Sequence, residues 1–130
     1  DWMRQHDFTE DQVVRAIATG GDHLESIRTA VRAGVPLLNG TDYPPGSADR
    51  GVAVAVRELG YAVDAGLTPL EAFRTATINP VRLLGSEGEV GELVLGSWAD
   101  SVILERDPLE DVTAYAAPLA VYQGGVVVAR

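Results

Sequence analysis

Asp42 is the residue with the clearest chemical potential, at the end of Val35-Pro36-Leu37-Leu38-Asn39-Gly40-Thr41-Asp42. Its first four residues read as a short apolar strand, with Pro36 near the strand's beginning, and Gly40 allows a tight exit two places before the aspartate. A carboxylate delivered by a strand end points into the crevice at the strand's carboxyl edge, where it can hold a metal ion or serve as a catalytic base. Aspartates after strands are also frequent turn residues and helix caps, so a plain structural reading stands beside the chemical one. Thr41 can orient that carboxylate through its hydroxyl or act as a strand-end turn residue.

Few other side chains could share such a site. The 130 residues contain two histidines, His6 and His23, and no cysteine, so any metal must be bound by His or carboxylate. There is no His-x-His pair. His23 falls in a helix start and reads as solvent-facing or cap-region structure, and the isolated His6 is read in the same way. Asp and Glu number 19 against 10 Lys and Arg, a net charge of -9, which makes nucleic acid and anionic membranes poor partners. No apolar run is long enough to span a bilayer.

The elements that must position Asp42 are mostly helical. Thr9-Glu10-Asp11-Gln12 has capping-box spacing and predicts a helix through about Ala18, stopped by Gly20-Gly21. Asp22-His23-Leu24-Glu25 predicts a second start, with Asp22 as N-cap, an apolar stripe of Leu24, Ile27, Ala30 and Val31, and Gly34 just past the end. After the strand, Tyr43-Pro44-Pro45-Gly46-Ser47 predicts a loop. A helix over Asp49–Ala65 carries Val52, Val56, Leu59 and Val63, and Gly66 closes it. Thr68-Pro69-Leu70-Glu71 predicts another capped helix, and Asn79 is expected to cap a short one beginning at Pro80 and ending near Gly85.

The character changes at Gly85. Val90–Leu95 suggests a strand pair, Ser101–Leu104 a buried strand, Asp107-Pro108-Leu109 a turn, and Leu119–Tyr122 with Val126–Ala129 a hairpin around Gly124-Gly125. Asp100 is expected to accept a structural hydrogen bond, and Trp98 to pack in a core or against another domain. One strand among helices cannot bury itself, and a hairpin-rich tail needs further strands to pack on. The pattern therefore reads as the closing segment of something larger, whose beginning lies elsewhere.

Five segments in order carry a resemblance: Ala33 to Asp42, Arg57-Glu58-Leu59, Ala65-Gly66-Leu67-Thr68-Pro69-Leu70-Glu71-Ala72, Ala76-Thr77-Ile78-Asn79-Pro80, and Gly91-Glu92-Leu93-Val94-Leu95-Gly96-Ser97-Trp98-Ala99-Asp100-Ser101-Val102-Ile103-Leu104. With Asp107-Pro108-Leu109-Glu110-Asp111 and Val121 to Val127, they resemble the carboxyl-terminal part of metal-dependent amidohydrolases, in the imidazolonepropionase and Xaa-Pro or Xaa-Arg dipeptidase-like branch. The resemblance implies an α/β fold. Residues 1–84 would be the end of a (β/α)8 barrel, with Val35–Leu38 its last strand, and residues 85–130 the returning strands of a small β-sandwich.

The same resemblance implies that Asp42 is the last-strand aspartate that binds the metal or hydrogen-bonds its water and takes its proton. Zinc or a similar divalent ion would be the cofactor. Tyr43 and the proline loop would line the barrel mouth, where a small amide or dipeptide substrate is read, and Arg57-Glu58 would lie near its rim. The family's other ligands, a His-x-His pair, a lysine or carboxylate and two more histidines, have no counterpart here. The chain alone is therefore expected to be catalytically incomplete, needing the remainder of the barrel or another subunit. Two other readings stay open: a non-catalytic remnant that joins a partner and binds no metal, and a helical regulatory module in which Asp42 is only a cap.

Overall fold

Thr9 starts the first helix as its residue types predict. Its hydroxyl accepts from the Gln12 amide, and the Gln12 side chain accepts from the Thr9 amide at 2.8 Å, so two amides of the open helix end are satisfied. A computed structural model describes Met3 and residues 7–42 and 51–129. Helix α1 then runs without a break over Glu10–Arg32. The expected stop at Gly20-Gly21 does not occur, and Asp22 lies inside the helix rather than capping a second one. Glycine weakens a helix by about 1 kcal/mol against alanine but keeps both its backbone hydrogen bonds, so capped turns on either side can carry it. Asp11 pairs with Arg15 at 2.8 Å and Glu25 with Arg32 at 2.7 Å, which adds modest support at an exposed surface.

The stripe predicted for the second half of α1 is present: Leu24, Ile27, Ala30 and Val31 are all half-buried. The helix ends as a Schellman motif. The Val35 amide donates to the Ala30 carbonyl and the Gly34 amide to the Val31 carbonyl, both at 3.0 Å, with Gly34 at φ 70°. That left-handed residue turns the chain and launches residues 35–42 as an extended segment.

Helix α2 spans Gly51–Asp64, with Leu59 buried and Val56 and Val63 half-buried. The expected loop at 43–47, the helix start at Asp49 and the side chain of Val52 lie outside the described residues. Helix α3, Pro69–Ala76, carries the full capping box of Thr68 and Glu71 with proline in its first turn. Helix α4, Ile78–Leu84, follows at once and ends at the left-handed Gly85. It begins two residues earlier than expected and has no side-chain cap. Asn79 is thus inside the first turn, and Pro80 is tolerated there because first-turn amides have no helical acceptor.

The second half forms one small antiparallel sheet in the order β1–β2–β3: Ser101–Ile103, Ala120–Gln123 and Val126–Ala129. Ser101 faces Tyr122, and Gln123 faces Val126 across the Gly124-Gly125 turn. The turn is tied down by the Gly124 amide donating to Asp100 Oδ1 at 2.7 Å and the Gly125 amide to the Ala99 carbonyl at 2.8 Å. The predicted hairpin and the acceptor role of Asp100 are therefore both present.

Two expectations fail in this half. Val90–Leu95 forms turns rather than a strand pair, closed by the Trp98 amide on the Glu89 carbonyl at 2.7 Å, because Gly88, Gly91 and Gly96 all take positive φ. Strand β1 is not buried: Val102 and Ile103 are about half exposed. Trp98 is 63% exposed, so it is not part of a core here, and its other expected role, packing against another domain, is not tested by this chain. Sequence patterning also leaves unmarked a 3₁₀ helix, Val112–Ala116, which packs on α2 and buries Val112 and Ala114. Beside it, Phe73 of α3 stacks on Tyr115 with ring centroids 5.3 Å apart.

Burial is thin for the chain's size. Its buried apolar residues among those described are Val13, Leu59, Ala65, Ala72, Val81, Val112 and Ala114, and no large side chain is fully enclosed. A folded monomer of 13.8 kDa exposes about 6,600 Å² by size scaling, whereas this chain exposes 9246 Å². Leu83, Leu84, Leu93 and Leu95 are among the exposed residues. Among the described residues no helix is long and apolar enough to cross a membrane.

Candidate active site

The segment that delivers Asp42 is extended but not a strand. Residues 35–42 pair with no strand among those described, so the expected strand Val35–Leu38 is corrected to an extended segment held by helices. A ladder needs a neighbouring strand, and the three strands described are engaged with one another. In place of a ladder, longer-range hydrogen bonds to the helices hold the segment. The Asn39 amide donates to the Thr75 carbonyl at 2.8 Å, in the last turn of α3, where helical carbonyls lack partners. Asn39 Nδ2 reaches the Ala55 carbonyl of α2 at 3.3 Å, and Asn79 Nδ2 of α4 donates to the Leu37 carbonyl at 2.9 Å.

Thr75 is buried, and its hydroxyl is satisfied by donating to the Ala72 carbonyl at 2.6 Å. A cleft of about 100 Å³ lies beside this junction, lined by Leu37, Leu38, Asn39, Glu58, Tyr61 and Thr75 among others. Glu58 thus borders the segment that leads to Asp42, while Arg57 is exposed. A larger concavity along Asp22, Glu25, Ser26 and Thr29 is one face of α1, lined by that helix alone, and gives no enclosure to a ligand.

Asp42 emerges from the clamped segment exposed and at φ 50°. A left-handed conformation is uncommon for a residue with a side chain, though Asp and Asn tolerate it best. Thr41 is half-buried beside it. Tyr43 and His6 lie outside the described residues. His23 is exposed on α1, well inside the helix, so its solvent-facing reading stands and the cap-region one does not.

Among the described residues no three of His, Asp or Glu come together as a cation site requires. Asp42 offers one carboxylate, so the described residues do not by themselves fit a divalent ion. Sequence reasoning singles out Asp42 as a candidate, gives no signal for the contacts of Asn39, and takes Asn79 for a cap. An amide side chain beside a helix start looks like a cap in one dimension, and only the fold shows it reaching back to Leu37.

The Amidohydrolase family profile matches residues 4–128. The chain belongs to the amidohydrolase family. It is 37% identical over 113 residues to ochratoxinase of Aspergillus niger, a match covering 83% of this chain and 22% of that protein. It is 39% identical over 77 residues to imidazolonepropionase of Symbiobacterium thermophilum, covering 59% of this chain and 18% of the relative. A Xaa-Pro dipeptidase solved with methionine in its active site superposes with a TM-score of 0.79 at 25% identity, over 95% of this chain and 29% of that one. The resemblance to the imidazolonepropionase and dipeptidase-like branch is thus confirmed. The matches of this amidohydrolase chain span only 18% to 29% of the length of these relatives.

Proposed function

We propose that this chain is the carboxyl-terminal part of a hydrolase that cleaves a carbon–nitrogen bond of a small amide or dipeptide, with Asp42 as its proton carrier. The family match across residues 4–128 is the observation that carries the proposal. In this reading residues 1–84 close a (β/α)8 barrel and residues 85–130 complete a small β-sandwich. The rest of the barrel, or another subunit, covers the apolar surface left open here. Tyr43 and Thr41 flank the carboxylate at the substrate-facing rim.

Asp42 accepts the proton of the attacking water and returns it to the departing nitrogen, which must leave as a neutral amine. An exposed carboxylate at the tip of a clamped segment suits that role, because it is held at its base and open to solvent at its end. A divalent ion, zinc in this proposal, would when bound acidify water towards a pKa of about 7. The described residues offer it one ligand, so the remaining ligands are assigned to the rest of the enzyme.

The test is to replace Asp42 by Asn in the longer protein and assay hydrolysis of Xaa-Pro dipeptides and N-acyl amino acids. Undiminished turnover would remove Asp42 from the chemistry. The large exposed apolar surface also favours a second reading, a remnant that joins a partner and binds no metal. Metal analysis of the purified longer protein separates the two, since the remnant reading expects no stoichiometric ion.

A further inference from the structure

We infer that Asn79 and Asn39 are positioning residues, a pair of amide side chains that set where Asp42 stands. The inference rests on the reading of Asp42 as proton carrier and adds the means by which it is aimed. Asn79 Nδ2 fixes the Leu37 carbonyl at 2.9 Å across 42 residues of sequence. Asn39 Nδ2 fixes the Ala55 carbonyl at 3.3 Å, and the Asn39 amide fixes the Thr75 carbonyl at 2.8 Å. Three helices, α2, α3 and α4, thereby grip two points of one short segment, and Asp42 projects three residues beyond the second.

The physical need is specific. Among the described residues the extended segment has no strand neighbour, so helices rather than a ladder supply partners for its Leu37 carbonyl and Asn39 amide. Both asparagine side chains are part-buried in these contacts, so the bonds are shielded and directional. Loss of either frees the segment to shift by a fraction of an ångström to about 1 Å, a displacement that can reduce catalysis by about 100-fold when it moves a reacting group. Asn79 is placed for this by the start of α4 at Ile78, which sets its side chain in the first turn rather than at the cap.

The experiment uses the full-length enzyme in four forms: Asn79→Ala, Asn39→Ala, Asp42→Asn, and Asn79→Ala with Asp42→Asn. Hydrogen–deuterium exchange of peptides spanning 35–42 and 69–76 is read beside kcat and KM on the best substrate from a panel of Xaa-Pro dipeptides and N-acetyl amino acids. Expected for each asparagine variant is faster exchange confined to 35–42 and a kcat lower by about 10- to 100-fold with KM nearly unchanged. In the Asp42→Asn background, Asn79→Ala should produce no further loss, because its effect passes through the carboxylate.

Unchanged exchange at 35–42 overturns the inference, as does faster exchange throughout the protein, which would mark a general structural role. Additive losses in the double variant also overturn it. Should Asn79→Ala fail to fold, the general structural role wins for that residue, and Asn39→Ala decides the remaining half by the same readouts. Full activity of Asp42→Asn would sink the proton-carrier reading. Loss in Asp42→Asn with none in the asparagine variants would sink the present inference alone.

Discussion

The Asn39 amide donates to the Thr75 carbonyl at 2.8 Å, so the segment that ends at Asp42 hangs from the last turn of α3. The bond resolves two deficits at once. A helix end has carbonyls without partners, and an extended segment outside a sheet has amides without partners. The route from residue 35 to residue 42 is therefore set by helix geometry as much as by its own extended propensity.

Asp42→Asn should separate chemistry from stability. The side chain is exposed, and asparagine tolerates the left-handed backbone at φ 50° as aspartate does. The expected outcome is a fall of at least about 100-fold in kcat of the full-length enzyme, with unfolding free energy unchanged within about 0.5 kcal/mol. Paired steady-state kinetics and denaturant titration check it.

Gly91 should reject a methyl group. A Cβ there would lie 2.7 Å from Val81 Cγ2 and 3.1 Å from the Thr77 carbonyl oxygen, at φ 88°. Steric overlap and backbone strain act in the same direction, so Gly91→Ala should destabilise by about 1–3 kcal/mol. A lower urea midpoint with an unchanged m-value is the expected signature.

Gly20 and Gly21 should do the opposite. Both lie inside α1, and nothing comes within 4 Å of a Cβ built at either. Gly20→Ala or Gly21→Ala should raise stability by about 0.5–1 kcal/mol each, by restricting the unfolded chain and improving helix propensity. A higher thermal midpoint by circular dichroism checks this. An unchanged or lower midpoint would show that the helix is interrupted in solution.

The cap of α3 should weaken in acid. The Thr68 amide and hydroxyl both donate to the Glu71 carboxylate and hold its pKa below the ordinary glutamate value. A depressed folded-state pKa means that the stabilisation is complete above the unfolded-state value and is lost as the pH falls through the folded-state one. Glu71→Gln keeps an acceptor that does not titrate and should flatten this part of the acid dependence. Thr68→Ala should reduce stability by about 1 kcal/mol at neutral pH. Glu25 and Asp111 are shifted the same way, the first mainly by Arg32 and the second mainly by Thr113, so some acid dependence should remain in both variants. Unfolding curves between neutral and acidic pH provide the check.

Local signals determined most of the element list. Thr9 with Gln12, Thr68 with Glu71, the glycines after residues 33, 65 and 84, and the Gly124-Gly125 turn all act over a few residues, and all are present. Asp42 stands out as a candidate for a similar reason, since an aspartate after an apolar run and a glycine is a local pattern. Gly20-Gly21 misled because a glycine pair states a cost of helix formation but not the contribution of the turns that carry it. Val90–Leu95 misled because β-branched and leucine residues suggest strands while the φ values of the surrounding glycines oppose one.

Only the tertiary structure decided what holds Asp42. The bonds from Asn39 to Ala55 and Thr75, and from Asn79 to Leu37, join positions far apart in the chain, and no periodicity or cap rule encodes such a distance. The same is true of the Phe73–Tyr115 stack and of the 3₁₀ helix packed on α2. Capping, turn chemistry and amphipathic spacing are nearest-neighbour effects, so sequence alone can state them. Which amide meets which carbonyl depends on how helices assemble in space, and that decides whether a carboxylate at a segment's tip is aimed or merely exposed.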